Sequence, residues 1–169
     1  RQAFKFASDR EIVNLDVLDG NGTVANNDPI GPSYGVLYNP QDNRSYDPQA
    51  ACDLIAEVEA DEAGNGFIND GRVEATFYVG DTFEYPDVAV VVQDLWREAC
   101  IDVELNVMPE NVYYSDAEGN WLDAQIGMTA WGTRPTPQEY LSVAYTTGAP
   151  FNEAQWSNEQ IDELAAEAA

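Results

Sequence analysis

The chain has 169 residues, 44% hydrophobic and 11% aromatic, with a formal net charge of −24 from 31 acidic and 7 basic side chains. That length suits one domain, or a lobe of something larger, with enough apolar surface for a packed core, and it argues against a disordered acidic tail. The charge balance excludes a basic patch for nucleic acid or anionic lipid, and the absence of histidine removes Ser-His-Asp and Cys-His nucleophiles, histidine metal sites and imidazole switching.

The predicted elements follow in chain order. A short helical stretch covers about 1–7, and Ser8-Asp9-Arg10-Glu11 forms a capping box for a helix over about 9–18 that carries Ile12, Val13, Leu15 and Leu18. Residues 19–46 hold Gly, Asn, Pro, Ser and Tyr without periodicity, a connection long enough to serve as a binding loop or to pack on a neighbouring lobe. Asn21-Gly22-Thr23 and Asn43-Arg44-Ser45 are glycosylation-type triplets, which are common by chance. Asp47-Pro48 caps and opens a helix whose face is Ala51, Leu54, Ile55 and Val58, and 64–71 reads as a turn region. Val73, Ala75, Phe77 and Val79 alternate with polar residues as a strand. Pro86 opens a helix with Val88, Val91, Val92, Leu95, Trp96 and Ala99 on one face, and Val103, Leu105 and Val107 mark a second strand. Strand, helix, strand over 72–107 is a βαβ unit. A third strand is expected at Ala124 to Thr129, a capped helix from Thr136-Pro137-Gln138-Glu139 through Tyr140, Leu141 and Ala144, and a last helix after Ser157-Asn158.

Carboxylates at this density repel one another unless screened, and in 1 M salt the Debye length is only about 3 Å. With Lys5 the sole lysine, the composition predicts adaptation to high salt. No stretch approaches the roughly 20 apolar residues of a membrane span. Both ends read as helix interior, so the chain is expected to be a fragment, and a missing export signal says nothing about its location.

Little in the chain points to catalysis. Asp61, Asn65 and Gly66 match part of a calcium loop, but Ala63 and Arg72 stand where oxygen ligands are required, and Asp116 to Asn120 lacks the turn glycine. Surface loops are the better reading, and neither a metal nor another cofactor is expected. Two facing carboxylates would suit a glycosidase, so an acidic secreted hydrolase is the alternative from another functional class, although 31 acids create pairs by chance. Cys52 and Cys100 read as two small buried thiols, with a disulfide between neighbouring helices as the alternative; spacing does not decide.

The most informative segment is Met128 to Pro137. It follows a predicted strand and precedes a predicted helix start, where open α/β lobes gather ligands. Trp131 offers a stacking face, and Arg134 is a scarce cation able to grip a carboxylate. The competing reading makes Trp131 core and pairs Arg134 with one of the many acids. Thr129, Trp131, Thr133 and Arg134 are the candidate ligand-binding residues, and no catalytic or metal residue is assigned.

These pieces together resemble family 5 extracellular solute-binding proteins, the peptide, oligopeptide and nickel-type receptors of ABC importers. Arg1-Gln2-Ala3-Phe4 through Asp9-Arg10-Glu11-Ile12-Val13 is similar to their "RQAL..AIDRE.IV" signature. Tyr46-Asp47-Pro48 with Ala51, Leu54 and Ile55 is similar to their "YDPEKAKALLAEAG" helix. Val88 to Val107 resembles their "A..VQ..L.EAGI.VEL" stretch, with Cys100 where glycine is usual, and Trp131 to Pro137 resembles "W....P.P". The resemblance implies an α/β, periplasmic-binding-protein-like lobe with a βαβ-containing mixed sheet flanked by helices, residues 1–169 forming one partial lobe of a two-lobed receptor. It implies a non-enzymatic, monomeric protein outside the cytoplasmic membrane, periplasmic or on the cell surface, either free or anchored by lipid through a missing N-terminus. Its partners would be a peptide or other small solute and the membrane permease of an ABC importer. Peptide-binding members hold the ligand's α-amino group with an aspartate shortly after the tryptophan. Gly132-Thr133-Arg134 has no acid there, which suggests a carboxylate or other anionic ligand group instead.

Overall fold

The computed structural model describes residues 1–25, 27–40, 45–60, 67–115 and 120–168. The partial calcium-loop matches at Asp61 to Gly66 and Asp116 to Gly119, and Asn43-Arg44 of the second glycosylation-type triplet, fall outside them.

The chain begins with helices α1 (Gln2–Phe6) and α2 (Arg10–Leu18). The cap of α2 is Asp9, not Ser8: its carboxylate accepts from the N–H groups of Glu11 and Ile12 at 3.0 and 3.1 Å. Ser8 is engaged elsewhere, donating from Oγ to the Phe4 carbonyl and accepting from Trp96 Nε1, both at 2.9 Å. No residue of α2 is buried, so Ile12, Leu15 and Leu18 lie on its exposed surface. Among its described residues the long connection is irregular except for 3₁₀ turns across Pro32–Leu37, broken at Gly35 by a φ of 57°. Asp47 accepts from the Ala50 N–H at 2.9 Å and starts α3 (Pro48–Ala60).

Within the predicted turn region lies a short strand, β1 (Ile68–Asn69), in a tight hairpin with β2 (Arg72–Gly80). Asp70 and Gly71 both take positive φ, 50° and 74°, which an Asp-Gly pair tolerates and a two-residue hairpin requires. Helix α4 (Tyr85–Glu98) and strand β3 (Ile101–Met108) follow, then α5 (Glu110–Tyr113), β4 (Ile126–Met128) and α6 (Pro137–Tyr140). The predicted helix from Thr136 is cut short. Thr136 makes no side-chain cap, α6 has 4 residues, and a single π turn, Leu141–Tyr145, ends the run. Helix α7 (Glu159–Glu167) closes the chain, capped by Asn158 accepting from the Ile161 N–H at 3.1 Å.

β2 is central. It runs parallel to β3 from Val73↔Ile101 to Gly80↔Met108, and parallel to β4 from Phe77↔Ile126 to Val79↔Met128, with antiparallel β1 beside its start. The result is a mixed α/β sheet whose parallel strands share one carboxyl end. Val73, Phe77, Val79, Ile101 and Val103 are buried with Ala89, Trp96 and Ala99 of the α4 segment and Ala51 and Ile55 of α3. Trp96 is the hub, its ring centroid 4.9 Å from Phe4 and 5.2 Å from Phe77.

Cys52 and Cys100 form a disulfide with a Cα–Cα distance of 5.2 Å, which overturns the reading of two separate thiols. Sequence spacing could not show that α3 lies against the carboxyl end of α4. Cys100 follows that helix with φ 63°, a left-handed conformation that favours glycine, so the bridge is formed from a strained position. Arg72 grips Asp102 with both Nε and Nη2 and also donates from Nη2 to the Arg97 carbonyl at 2.8 Å, tying the starts of β2 and β3 to the carboxyl end of α4. No helix among the described residues is long and apolar enough to cross a membrane.

Candidate functional site

Beyond the carboxyl end of β4 the chain is irregular from Thr129 to Arg134 and bends at Pro135 and Thr136 before α6 begins. Pro135 restricts Arg134 to extended geometry, because its ring blocks a helical conformation in the residue before it. The four predicted residues lie on this run. Trp131, Thr129 and Arg134 are half-buried, and Thr133 is exposed.

Trp131 is held on three sides. Its Nε1–H donates to Glu153 Oε1 at 3.0 Å, and its ring lies 6.1 Å from both Tyr140 and Phe151. The Arg134 guanidinium stands over the indole, 5.6 Å from its centroid, a cation–π contact. Thr129 donates to Glu153 Oε2 at 2.6 Å and shares a 2.9 Å hydrogen bond with the Tyr113 hydroxyl. Tyr113 is buried and reaches Thr129 past Gly127, where a Cβ would sit 2.8 Å from the phenol oxygen. Burial pushes the Tyr113 phenol up to about 12, so it stays protonated at any physiological pH. Neither Arg134 nor Glu153 meets an oppositely charged side chain within ion-pair distance among the described residues. Pairing of Arg134 with a nearby acid, the competing reading, is therefore absent among them.

The backbone of the segment is pinned by two tyrosines. The Arg134 N–H donates to the hydroxyls of Tyr34 and Tyr140, each at 3.2 Å. Tyr34 donates to the Arg134 carbonyl at 2.6 Å, and Tyr140 to the Gly132 carbonyl at 2.9 Å. Tyr114, Trp121, Phe151, Trp131, Tyr140 and Tyr34 form a continuous chain of rings with centroids 5.3 to 6.2 Å apart. Phe83, 75% exposed and strained at φ 52°, adds another aromatic at the carboxyl end of β2. A cavity of 480 Å³ opens beside Trp131, lined also by Arg1, Lys5, Tyr145, Phe151 and Trp156. A larger, apolar one of 620 Å³ lies among α1, α3, β1 and β4 and contains none of the four predicted residues.

Sequence reasoning missed Tyr34, Glu153 and the role of Tyr140. Tyr140 was visible only as part of a helix face, and Tyr34 sat in an aperiodic loop 100 residues away. No signal marked Glu153 among the other acids. Among the described residues, no group of three or more metal-binding side chains comes together.

The family model for bacterial extracellular solute-binding proteins, family 5 Middle, matches residues 1–153. The chain belongs to this family. Similar solved structures include NikZ from Campylobacter jejuni in complex with Ni(L-His), at 18% identity and TM-score 0.77, with 99% of this chain and 34% of that one covered. The oligopeptide-binding protein AppA from Bacillus subtilis, in complex with a nonapeptide, aligns at 24% identity and TM-score 0.74 with the same coverage of 99% and 34%. An oligopeptide-binding protein from Thermus thermophilus complexed with a pentapeptide aligns at 21% identity and TM-score 0.74, covering 99% and 32%. The chain thus spans about a third of the length of the structures it matches. Comparison with curated protein sequences gave no match. The family assignment leaves the hydrolase alternative without support.

Proposed function

We propose that this chain is most of one lobe of the substrate-binding component of an ABC importer, capturing a peptide or similar small solute without transforming it. The bound solute would be handed to a membrane permease. The site would be the segment from Thr129 to Arg134 at the carboxyl end of the parallel strands, closed by a second lobe outside residues 1–169. One observation carries this assignment: in a chain with 31 acids, Arg134 stands over Trp131 without an acidic partner among the described residues. A cation kept from so many carboxylates is available to a ligand. Trp131 supplies a rigid face, Arg134 a fork for a carboxylate and Thr133 an exposed hydroxyl for a polar group, while Thr129, its own hydroxyl engaged by Glu153 and Tyr113, holds this wall of the site in place. The disulfide fits an oxidising compartment, in keeping with a periplasmic or cell-surface location for the mature receptor, anchored by lipid or free.

The test is calorimetric titration of the full-length receptor with tetra-alanine, after native mass spectrometry of the purified protein for any retained solute. Arg134→Ala should weaken binding by about 1.5–3 kcal/mol, the scale of a charge-assisted hydrogen bond. Unchanged affinity in both Arg134→Ala and Trp131→Ala would place the site elsewhere.

A further inference from the structure

Residues 129–134 lie past the last paired residue of β4, so their backbone groups need partners other than a strand ladder. Two tyrosine hydroxyls take that role. Tyr140 comes from the adjacent α6, but Tyr34 comes from the long connection, 100 residues away in sequence. Tyr34 both donates to and accepts from Arg134, as a neighbouring strand would. Desolvation raises the Tyr34 phenol above its ordinary value, keeping it protonated and able to donate. The connection is itself tethered to α2: Gly22 N–H donates to Asn14 Oδ1 at 2.8 Å, and Arg10 Nη1 donates to the Ala25 carbonyl at 3.2 Å. Gly132 and Thr133 are exposed, so beside Tyr140 and the Pro135 ring the two bonds from Tyr34 are what hold the backbone that carries the guanidinium.

We infer that Tyr34 is a positioning residue of the ligand site: by clamping both backbone groups of Arg134 it sets where the guanidinium stands over Trp131, and so how strongly a ligand carboxylate is preferred. This rests on the reading of Arg134 as the anion-directed residue. It makes the connection over 19–46 part of the recognition apparatus, although none of its side chains need touch the solute.

The test uses the full-length receptor with tetra-alanine and its C-terminal amide as probes, in wild type, Tyr34→Phe, Arg134→Ala and the double variant. Wild type should prefer the free acid by about ten-fold. Tyr34→Phe should cut that preference at least roughly three-fold with little change in melting temperature, and should speed amide hydrogen exchange at Arg134. In the Arg134→Ala background, Tyr34→Phe should change nothing further. A Tyr34→Phe variant that keeps the full acid-over-amide preference overturns the inference, as does one that weakens both probes equally in either background. Wild-type protein that binds neither probe, or both alike, overturns the role of Arg134 and the inference with it. Exchange at Arg134 that still quickens in Tyr34→Phe then locates the failure in the arginine, not in the clamp.

Discussion

The sheet half of the molecule and the segment that follows β4 are built by different physics. The first, α1, α3, β2, α4 and β3, packs apolar side chains: Ala51, Val79, Ala89, Ala99 and Ile101 are fully or almost fully removed from water, around the Trp96–Phe77 contact. The second, residues 129–158, keeps Phe151 and Trp156 exposed and relies on hydroxyl, carboxylate and backbone hydrogen bonds to fix Trp131 and Arg134. A core of the first kind holds its shape through area removed from water and is indifferent to charge. A surface of the second kind leaves polar and aromatic faces unspent, which recognition needs.

The sharpest way to break that contrast is to truncate one aromatic from each half. Phe77→Ala should cost about 3–5 kcal/mol of stability, as large-to-small core changes do, whereas Trp131→Ala should cost less than half as much. Urea unfolding of both variants measures this, and equal losses would erase the distinction. Next in size is the disulfide. Closing a loop of 48 residues accounts for about 4 kcal/mol at most on the chain-entropy view, so Cys52→Ala should lower the melting temperature sharply in non-reducing buffer and not at all once wild type is reduced.

Salt should then separate folding from binding by sign. Screening relieves repulsion among the carboxylates, so melting temperature should climb from low salt to molar KCl, while the affinity for tetra-alanine should fall as the Arg134–carboxylate attraction is screened. A melting temperature that ignores salt would sink the proposed halophilic adaptation. The smallest effect is at Arg72–Asp102. Hydrogen bonding from Arg72 holds the Asp102 carboxyl below its ordinary value of 3.8. Its stabilisation is therefore present above that value and lost as pH falls through the lower folded-state value. The pair is partly exposed, so Asp102→Asn should cost under about 1 kcal/mol at neutral pH and nothing at the acid extreme. Melting curves of both proteins from pH 7 downward should converge.

The sheet half was legible in the sequence because its signals are local and periodic. Alternation from Val73 to Val79 marks the buried side of β2, the stripe on α4 finds the buried Leu95, Trp96 and Ala99 although Val88 and Val91 are only half-buried and the buried Ala89 lies outside it, and Asp47-Pro48 marks a helix start. β1 escaped because two residues carry no period, although Asp70-Gly71 was a hairpin signal in plain view. The helix expected from Thr136 was overstated because a capping pattern marks a beginning and not a length. Of the candidate site, Trp131 and Arg134 stood out by residue type and scarcity. Tyr34, Tyr113 and Glu153 did not, since their importance lies in contacts across 16 to 100 residues that no local pattern encodes.

The left-handed backbone at Cys100 also constrains how this sequence can change. Losing Cys52 first would leave a cysteine in a conformation that costs a side-chain-bearing residue about 1 kcal/mol with no bridge in return. Changing Cys100 to glycine first would relax the backbone but orphan a partly exposed thiol at position 52, free to cross-link other molecules in an oxidising milieu. Either single step passes through a less fit intermediate, although the double replacement by alanine and glycine would suit the backbone well. The two cysteines are therefore expected to be inherited or lost together, an evolutionary ratchet set by one dihedral angle.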